Sequence, residues 1–212
     1  MKARDWLDRA LHTLITPIAK GMIKIGLTPN MVTTVGFVLN VVAAWYFVKA
    51  STDAGEVYRD FLIAGIVLIV GSMFDMFDGH VARLGNMQTT FGAMYDSILD
   101  RYSEMVTLLA VNYFFFATGE NVWALVTFVA MMGSIMVSYI RARAEGLGLE
   151  CKVGFLQRPE RVVITFVAAL LTGIFCCMEI MEWAMAFIAL FANITAFWRI
   201  IYCKKQIENR DK

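Results

Sequence analysis

Asp75 and Asp78 close one long apolar stretch, FDMFDGHVAR, and Asp96 and Asp100 open the next, FGAMYDSILDR. Spacings of three and four residues place each pair on one face of a helix. A short turn joins the two stretches, so they are expected to lie antiparallel with all four carboxylates at one depth. Carboxylates that close cannot all stay ionised: some hold protons, or cations sit among them. Hard divalent ions with oxygen ligands, Mg²⁺ or Mn²⁺, suit the second case. Two such ions would clamp the oxygens of a phosphate displacement. Between the aspartates, Gly79, Ala82, Gly92 and Ala93 let a ligand or another backbone approach closely. Arg83, one turn past Gly79, is placed to meet a phosphate. A solvated helix end or a first-turn dipole partner accounts for one or two of these acids. It does not account for four with Glu104 on the same stripe. A proton or ion pathway would use the carboxylates but not the glycines and arginine among them.

The elements that carry these residues are read from an unusually apolar chain. Of 212 residues, 59% are hydrophobic and only 17% charged, with a mean hydropathy of +0.62, against about 45–50% and 25% in soluble domains. Six stretches are long and apolar enough for membrane helices, at about 30–49, 61–83, 92–117, 122–143, 160–178 and 181–203, each near the roughly 20 residues that a bilayer requires. Thr28-Pro29 reads as the cap and first position of the first span. The third carries Asp96, Asp100, Arg101 and Glu104 in its first half, which therefore turns away from lipid. Before them, Leu7, Leu11, Leu14, Ile15 and Ile18 form a helical stripe flanked by Arg4, Trp6, Arg9 and Lys20. That is the pattern of an amphipathic surface helix, which Pro17 should end or kink. The fold class expected is thus an all-α membrane protein: a juxtamembrane helix over 1–24, six spans over 25–205 and a short tail over 206–212.

Lys and Arg set the orientation. They gather in the first 24 residues, between the fourth and fifth spans (Arg141, Arg143, Lys152, Arg158, Arg161) and at the end (Arg199, Lys204, Lys205, Arg210, Lys212). The alternate turns hold mainly Asp53, Glu56, Asp60, Glu120, Glu179 and Glu182. The positive-inside rule puts both termini and the aspartate cluster on the cytoplasmic side. A net charge of +1 gives no bulk attraction for nucleic acid. Cys151, Cys176, Cys177 and Cys203 show no metal spacing and read as small apolar fillers. Phe114, Phe115, Phe116, Met131 and Met132 are candidates for a lipid-facing or subunit-facing surface.

From Asp75 to Asp100 the chain reads D-x2-D-G-x2-A-R-x8-G-x3-D-x3-D, with all eight fixed positions filled. This resembles the signature of the CDP-alcohol phosphotransferases, a family of six-helix membrane enzymes with a preceding surface helix. The resemblance implies transfer of a phosphatidyl group from a CDP-linked lipid, CDP-diacylglycerol, to an alcohol with release of CMP. It implies that Asp75, Asp78, Asp96 and Asp100 hold two Mg²⁺ or Mn²⁺ ions. Asp100 would also be the catalytic base. Asn30, Asp78, Gly79, Ala82, Arg83, Thr89 and Gly92 would bind the nucleotide.

The run RARAEGLG followed by RPER resembles the subgroup of prokaryotic phosphatidylinositol-phosphate synthases, whose acceptor is inositol 1-phosphate. Matched by position, the basic trio that holds its phosphate falls on Arg141, Arg161 and Arg199, with Arg158 as a further candidate; the subgroup's first basic residue is usually lysine, so Arg141 departs from it. Arginine suits bidentate phosphate binding. A phosphatidylglycerophosphate synthase, accepting glycerol 3-phosphate, is the alternative, and a non-enzymatic transporter or scaffold of the same fold the alternative of another class. The resemblance further implies a homodimer in the prokaryotic cytoplasmic membrane.

Overall fold

A computed structural model describes residues 15–210, and every regular element among them is a helix. α1 covers residues 15–24. It is followed by α2 (Pro29–Ala50), α3 (Val57–Leu84), α4 (Thr90–Ala117), α5 (Asn121–Gly146), α6 (Arg158–Phe175) and α7 (Glu179–Arg210). Helices α2 to α7 match the expected apolar stretches one for one. Their ends differ by a few residues: α3 starts at Val57, α6 stops at Phe175, and α7 continues through residues 206–210, which the sequence set apart as a tail. Pro17 does not stop α1, which runs on to residue 24. Leu7, Leu11 and Leu14 of the amphipathic stripe lie outside the described residues. Within them Ile15 is buried and Ile18 exposed.

Among the described residues, four helices, α2, α3, α5 and α7, are long and apolar enough to cross a membrane. The expected six is therefore matched in helices but not in spans that qualify by composition. α4 falls short with Asp96, Asp100, Arg101 and Glu104 in its first half, and α6 is 18 residues long and opens on Arg158, Glu160 and Arg161.

Local signals set the helix ends. The Met31 N–H donates to Thr28 Oγ1 at 3.4 Å, with Pro29 at the first position, as the sequence suggests. Thr89 caps α4 in the same way, accepting from the Gly92 N–H at 2.9 Å. Asn86 takes the left-handed conformation (φ 51°) between α3 and α4, a conformation that asparagine tolerates. Cys176 does the same at the end of α6 (φ 51°) and is exposed. That corrects its reading as an apolar filler.

The chain divides into two compact units, residues Met1–Leu39 with Ile69–Tyr102, and Asn40–Leu68 with Ser103–Lys212. In the first, α1 packs through Ile15 and Ala19 on Val32 of α2 and on Phe77 and Val81 of α3. Gly36 lets α2 meet α3 closely: a Cβ there would lie 3.3 Å from Phe74 Cβ. The second unit holds the larger core. Phe47, Phe61 and Phe114 stack edge to face at centroid distances of 5.1 and 4.9 Å, an arrangement that aromatic quadrupoles favour. Phe114 and Phe115 are therefore core residues, whereas Phe116 and Met132 face outward. Asn193 of α7 donates to the Val129 carbonyl of α5 at 3.1 Å. Gly133 makes room for that amide. Lys49, in the last turn of α2, donates to both oxygens of the fully buried Asp60 in the first turn of α3, at 2.9 and 3.0 Å.

Helices α3 and α6 touch backbone to backbone. A Cβ on Gly173 would sit 2.6 Å from Leu62 Cβ and 2.7 Å from the Tyr58 carbonyl oxygen; one on Gly65 would sit 2.9 Å from the Leu170 nitrogen. Gly173→Ala should therefore lower stability by about 1–3 kcal/mol through overpacking. Gly21→Ala, where nothing lies within 4 Å, should not. Thermal unfolding of both variants in one detergent checks this; equal melting temperatures would refute the close approach.

Candidate active site

The turn between α3 and α4 is only five residues long, 85–89, and it returns the chain so that α4 starts beside the end of α3. Asp75 and Asp78 of α3 and Asp96 of α4 then each offer an oxygen within 4.8 Å of the others. Asp78 is buried, and Thr33 of α2 directs its hydroxyl at the Asp78 carboxylate, 2.7 Å away. Three carboxylate oxygens on two helices at this separation form a hard-donor set that fits a divalent cation. Asp100, one turn further along α4, is outside that set.

Next to the three aspartates is a cleft of about 350 Å³. Asn30, Asp78, Gly79, Ala82, Arg83, Thr89 and Gly92 all line it, so every residue expected to bind nucleotide is in one place. Gly92 is needed for space: a Cβ there would press on Thr89 Oγ1 at 2.9 Å and Asn30 Oδ1 at 3.3 Å. Gly79 differs, since an added Cβ would meet only Arg83 Nη2, at 3.9 Å. The helix packing does not require a glycine there. What its missing side chain leaves is room in the cleft. Arg83 donates from Nε to the Gly79 carbonyl at 3.0 Å and is exposed, which fixes the guanidinium along one wall. Sequence reasoning missed Thr33 and Gln88, both of which line the cleft. Thr33, one turn past Pro29 in an otherwise apolar helix, carried a signal; Gln88 in the turn did not.

The arginines expected to hold an acceptor phosphate lie in the other unit. Arg161 and Arg199 both reach carbonyls of α5, those of Ser134 and Val137, and Arg141 is on the same helix one turn past Val137. The three arginines differ in kind. Arg141, on α5, is 41% exposed and donates to Glu145 at 2.9 Å. Arg161, 1% exposed, forms a two-pronged pair with Glu104 of α4 at 2.6 and 2.9 Å and donates to the Leu156 carbonyl at 3.0 Å. Arg199, also buried, donates to the carbonyls of Val153 at 2.8 Å and Val137 at 2.6 Å. Glu104 was read from sequence as one more acid on the aspartate stripe; its partner is Arg161.

A helical bundle of apolar helices with an aspartate-lined cleft at the joint of two of them defines a membrane enzyme of phosphate chemistry. Residues 26–198 match the family described as CDP-alcohol phosphatidyltransferase, and the chain belongs to that family. Among its relatives, an archaetidylinositol phosphate synthase of Pyrococcus horikoshii is 32% identical over 192 residues, 90% of this chain and 91% of that protein. A phosphatidylinositol phosphate synthase of Mycobacterium tuberculosis is 34% identical over 172 residues, 80% and 75% of the two chains. Crystal structures of the phosphatidylinositol phosphate synthase of Mycobacterium tuberculosis are similar throughout. The form with CDP-DAG bound has a TM-score of 0.80 at 29% identity, covering 90% of this chain and 94% of that one. The complex with manganese and citrate has a TM-score of 0.81 at 29% identity, covering 89% and 88%.

If the three aspartates form one cation site, Asp78→Asn should weaken Mn²⁺ binding by about ten- to a hundredfold, the range that disturbing a metal site usually costs. Asp53→Asn, in the distant α2–α3 turn, should leave it unchanged. Titration calorimetry or Mn²⁺ electron paramagnetic resonance reads the difference; equal affinity in the two variants would remove Asp78 from the metal site.

Proposed function

We propose that this chain transfers the phosphatidyl group of CDP-diacylglycerol to a hydroxyl of inositol 1-phosphate, releasing CMP and giving phosphatidylinositol phosphate. The observation that carries this reading is the convergence of all seven expected nucleotide residues on one cleft that Asp78 and Asp96 also line. The named relatives and the CDP-DAG complex of the Mycobacterium tuberculosis enzyme support it.

Asp75, Asp78 and Asp96 would hold divalent ions, Mg²⁺ or Mn²⁺, two of them on this reading, with Asp100 shared between metal binding and catalysis. Such ions neutralise the pyrophosphate and favour departure of CMP. The chain itself supplies the remaining work. Thr33 holds the Asp78 carboxylate in orientation. Gly79 and Gly92 keep the cleft open for the cytidine diphosphate, and Arg83 faces its phosphates. Asp100, standing apart from the tight trio, takes the proton of the attacking hydroxyl. The acceptor oxygen then bonds to the phosphatidyl phosphorus as the bond to CMP breaks.

We assign the acceptor's phosphate to Arg141, Arg161 and Arg199, with Arg158 as a further candidate. Arg141 is the member whose guanidinium is open to an incoming ligand. Arg161 and Arg199, held by Glu104 and by carbonyls, supply positive potential from a fixed position. All six helices α2–α7 would span the cytoplasmic membrane, with α1 on its surface. Both termini and the loop around residues 144–158 would face the cytoplasm, as the Lys and Arg of the termini and Arg141, Arg143, Lys152, Arg158 and Arg161 in and beside the loop favour. The protein would act as a homodimer. Glycerol 3-phosphate as acceptor is the second reading, favoured by any arginine cluster that recognises phosphate rather than the inositol ring. The family membership leaves the non-enzymatic scaffold reading without support.

Release of CMP from CDP-diacylglycerol in the presence of inositol 1-phosphate, inositol, glycerol 3-phosphate or serine tests the assignment. Inositol 1-phosphate should be turned over fastest, and free inositol should be poor. Arg141→Ala should lower kcat/KM for inositol 1-phosphate about ten- to a hundredfold, since charge-assisted hydrogen bonds contribute about 1.5–3 kcal/mol. The KM for the CDP-lipid should be unchanged. Faster use of glycerol 3-phosphate would overturn the inositol assignment and leave the transferase chemistry standing. Arg161→Ala is unsuited to this test, because it strands Glu104 in the interior at a cost of about 3–5 kcal/mol.

Asp100→Asn should reduce kcat by about 10²–10⁴-fold, the usual contribution of a general base. CDP-lipid binding should persist. Near-normal turnover in this variant would move the base elsewhere.

A further inference from the structure

The segment between α5 and α6 is strapped to one face of α7. Along α7, Thr195, Arg199, Cys203, Gln206 and Arg210 follow at intervals of three and four, the spacing of one helix face. Each meets the segment in reverse order. The Leu156 N–H donates to Thr195 Oγ1 at 3.5 Å, and Arg199 Nε donates to the Val153 carbonyl at 2.8 Å. Gln206 donates to the Glu150 carbonyl at 2.7 Å, and Arg210 to the Leu147 carbonyl at 3.3 Å. Gly154 (φ 123°) lets the strap lie flat, since a Cβ there would be 2.3 Å from Thr195 Cγ2. Between the rungs at Arg199 and Gln206, Cys203 of α7 and Cys151 of the strap belong to one packed cluster. Ala144, Leu149, Val153 and Tyr202 enclose the pair, with Cys151 1% exposed and Cys203 half-buried.

We propose that Cys151 and Cys203 are a redox-modification site: the two thiols close to an intramolecular disulfide that locks residues 147–157 onto α7. The pairing follows from register: the ties of Arg199 to Val153 and of Gln206 to Glu150 lie on either side of Cys203 and Cys151, and the two cysteines pack in one cluster. Each tie fixes the register of the strap, so little movement separates thiol contact from a bond of about 2.05 Å. The chemistry is thiol–disulfide exchange with a low-molecular-weight disulfide, RSSR. The Cys203 sulfur, the more accessible, attacks one sulfur of RSSR and one RSH leaves. The Cys151 sulfur then attacks Cys203 in the mixed disulfide and the second RSH leaves. Two protein thiols are oxidised and one RSSR is reduced to two RSH. Burial pushes the Cys151 thiol up to about 11, with the neighbouring Cys203 adding to the rise, while Arg199 and Arg141 act the other way. Cys151 is thus suited to the resolving step rather than to first attack. In a reducing compartment the pair stays open, and closure marks oxidising stress. What closure fixes is the segment whose Val153 and Leu156 carbonyls hold Arg199 and Arg161.

The test uses the full-length protein in nanodiscs with Cys176→Ser and Cys177→Ser, which removes the only other thiols. Oxidised glutathione should consume both remaining thiols, leave no glutathione attached and yield a Cys151–Cys203 linked peptide that dithiothreitol reopens. Amide exchange across residues 147–157 should then slow relative to the reduced protein and stay unchanged in α2. Cys151→Ala should stop at a glutathione adduct on Cys203, which also shows that the site remains folded and reachable. A stable adduct on Cys203 in the presence of Cys151, no reaction at either thiol, or closure without slower exchange would overturn the proposal. None of these readouts depends on turnover, so they stand apart from the enzymatic reading.

Discussion

Charge inside apolar helices has to be balanced, and the structure meets this requirement in two different ways. At Asp60 and at Glu104 the balance is within the chain. Lys49 reaches both oxygens of the first, and the Arg161 fork grips the second. At Asp75, Asp78 and Asp96 the converging groups are all of one sign, with oxygens within 4.8 Å of one another. Like charges this close raise each other's energy, and protonation or a multivalent cation relieves it. The surroundings favour the cation. Thr33 donates to the Asp78 carboxylate and fixes its orientation. Glycines on both helices leave open space beside it rather than packing it away.

The arginines illustrate why a cluster of like side chains need not act alike. Arg161 and Arg199 are buried and spend their donors on Glu104 and on main-chain carbonyls. A guanidinium held this way is rigid, and its charge is felt without being handed over. Arg141 is tied only to Glu145 on its own helix, an exposed pair of small energetic worth. Such a pair yields readily to a phosphate. On the proposed acceptor reading, the trio would offer a rigid positive wall with one adaptable donor to an anion that must also leave again.

The sequence was most legible where residues near in the chain act together. The aspartates at i, i+3 and i, i+4, the Thr28-Pro29 cap and the positions of all six long helices depend on local spacing, and the five-residue turn between α3 and α4 brings two walls of the cleft together. It was least legible where partners are far apart. Thr33 meets Asp78 across 45 residues, and Arg161 meets Glu104 across 57. Periodicity placed Glu104 on the aspartate stripe and could not show which helix would answer it. Asp60 looked like a turn charge because a lone acid near a helix start is usually solvated, yet the Lys49 ammonium comes back over it. Phe114, Phe115 and Phe116 are consecutive, and a helix must send consecutive residues in different directions. Composition alone could not choose which of them faces the core.

The Glu104–Arg161 pair also bears on how many helices cross the membrane. The two long helices that fail the apolar test are α4 and α6, and they are the two that this ion pair joins. Counting each helix separately charges α4 for a carboxylate and α6 for a guanidinium, as if each entered lipid alone. Assembled, the two groups face each other in the interior at 2.6 Å, with the Leu156 carbonyl taking a further donor. Ionisable residues within a bilayer survive in this way, turned inward and paired. Their association thus answers one of the four charges in the first half of α4 and one of the three at the start of α6. Thr165 and Thr172 of α6 are also turned into the interior. The pair gives α4 and α6 a reason to be neighbours that hydrophobicity alone does not supply.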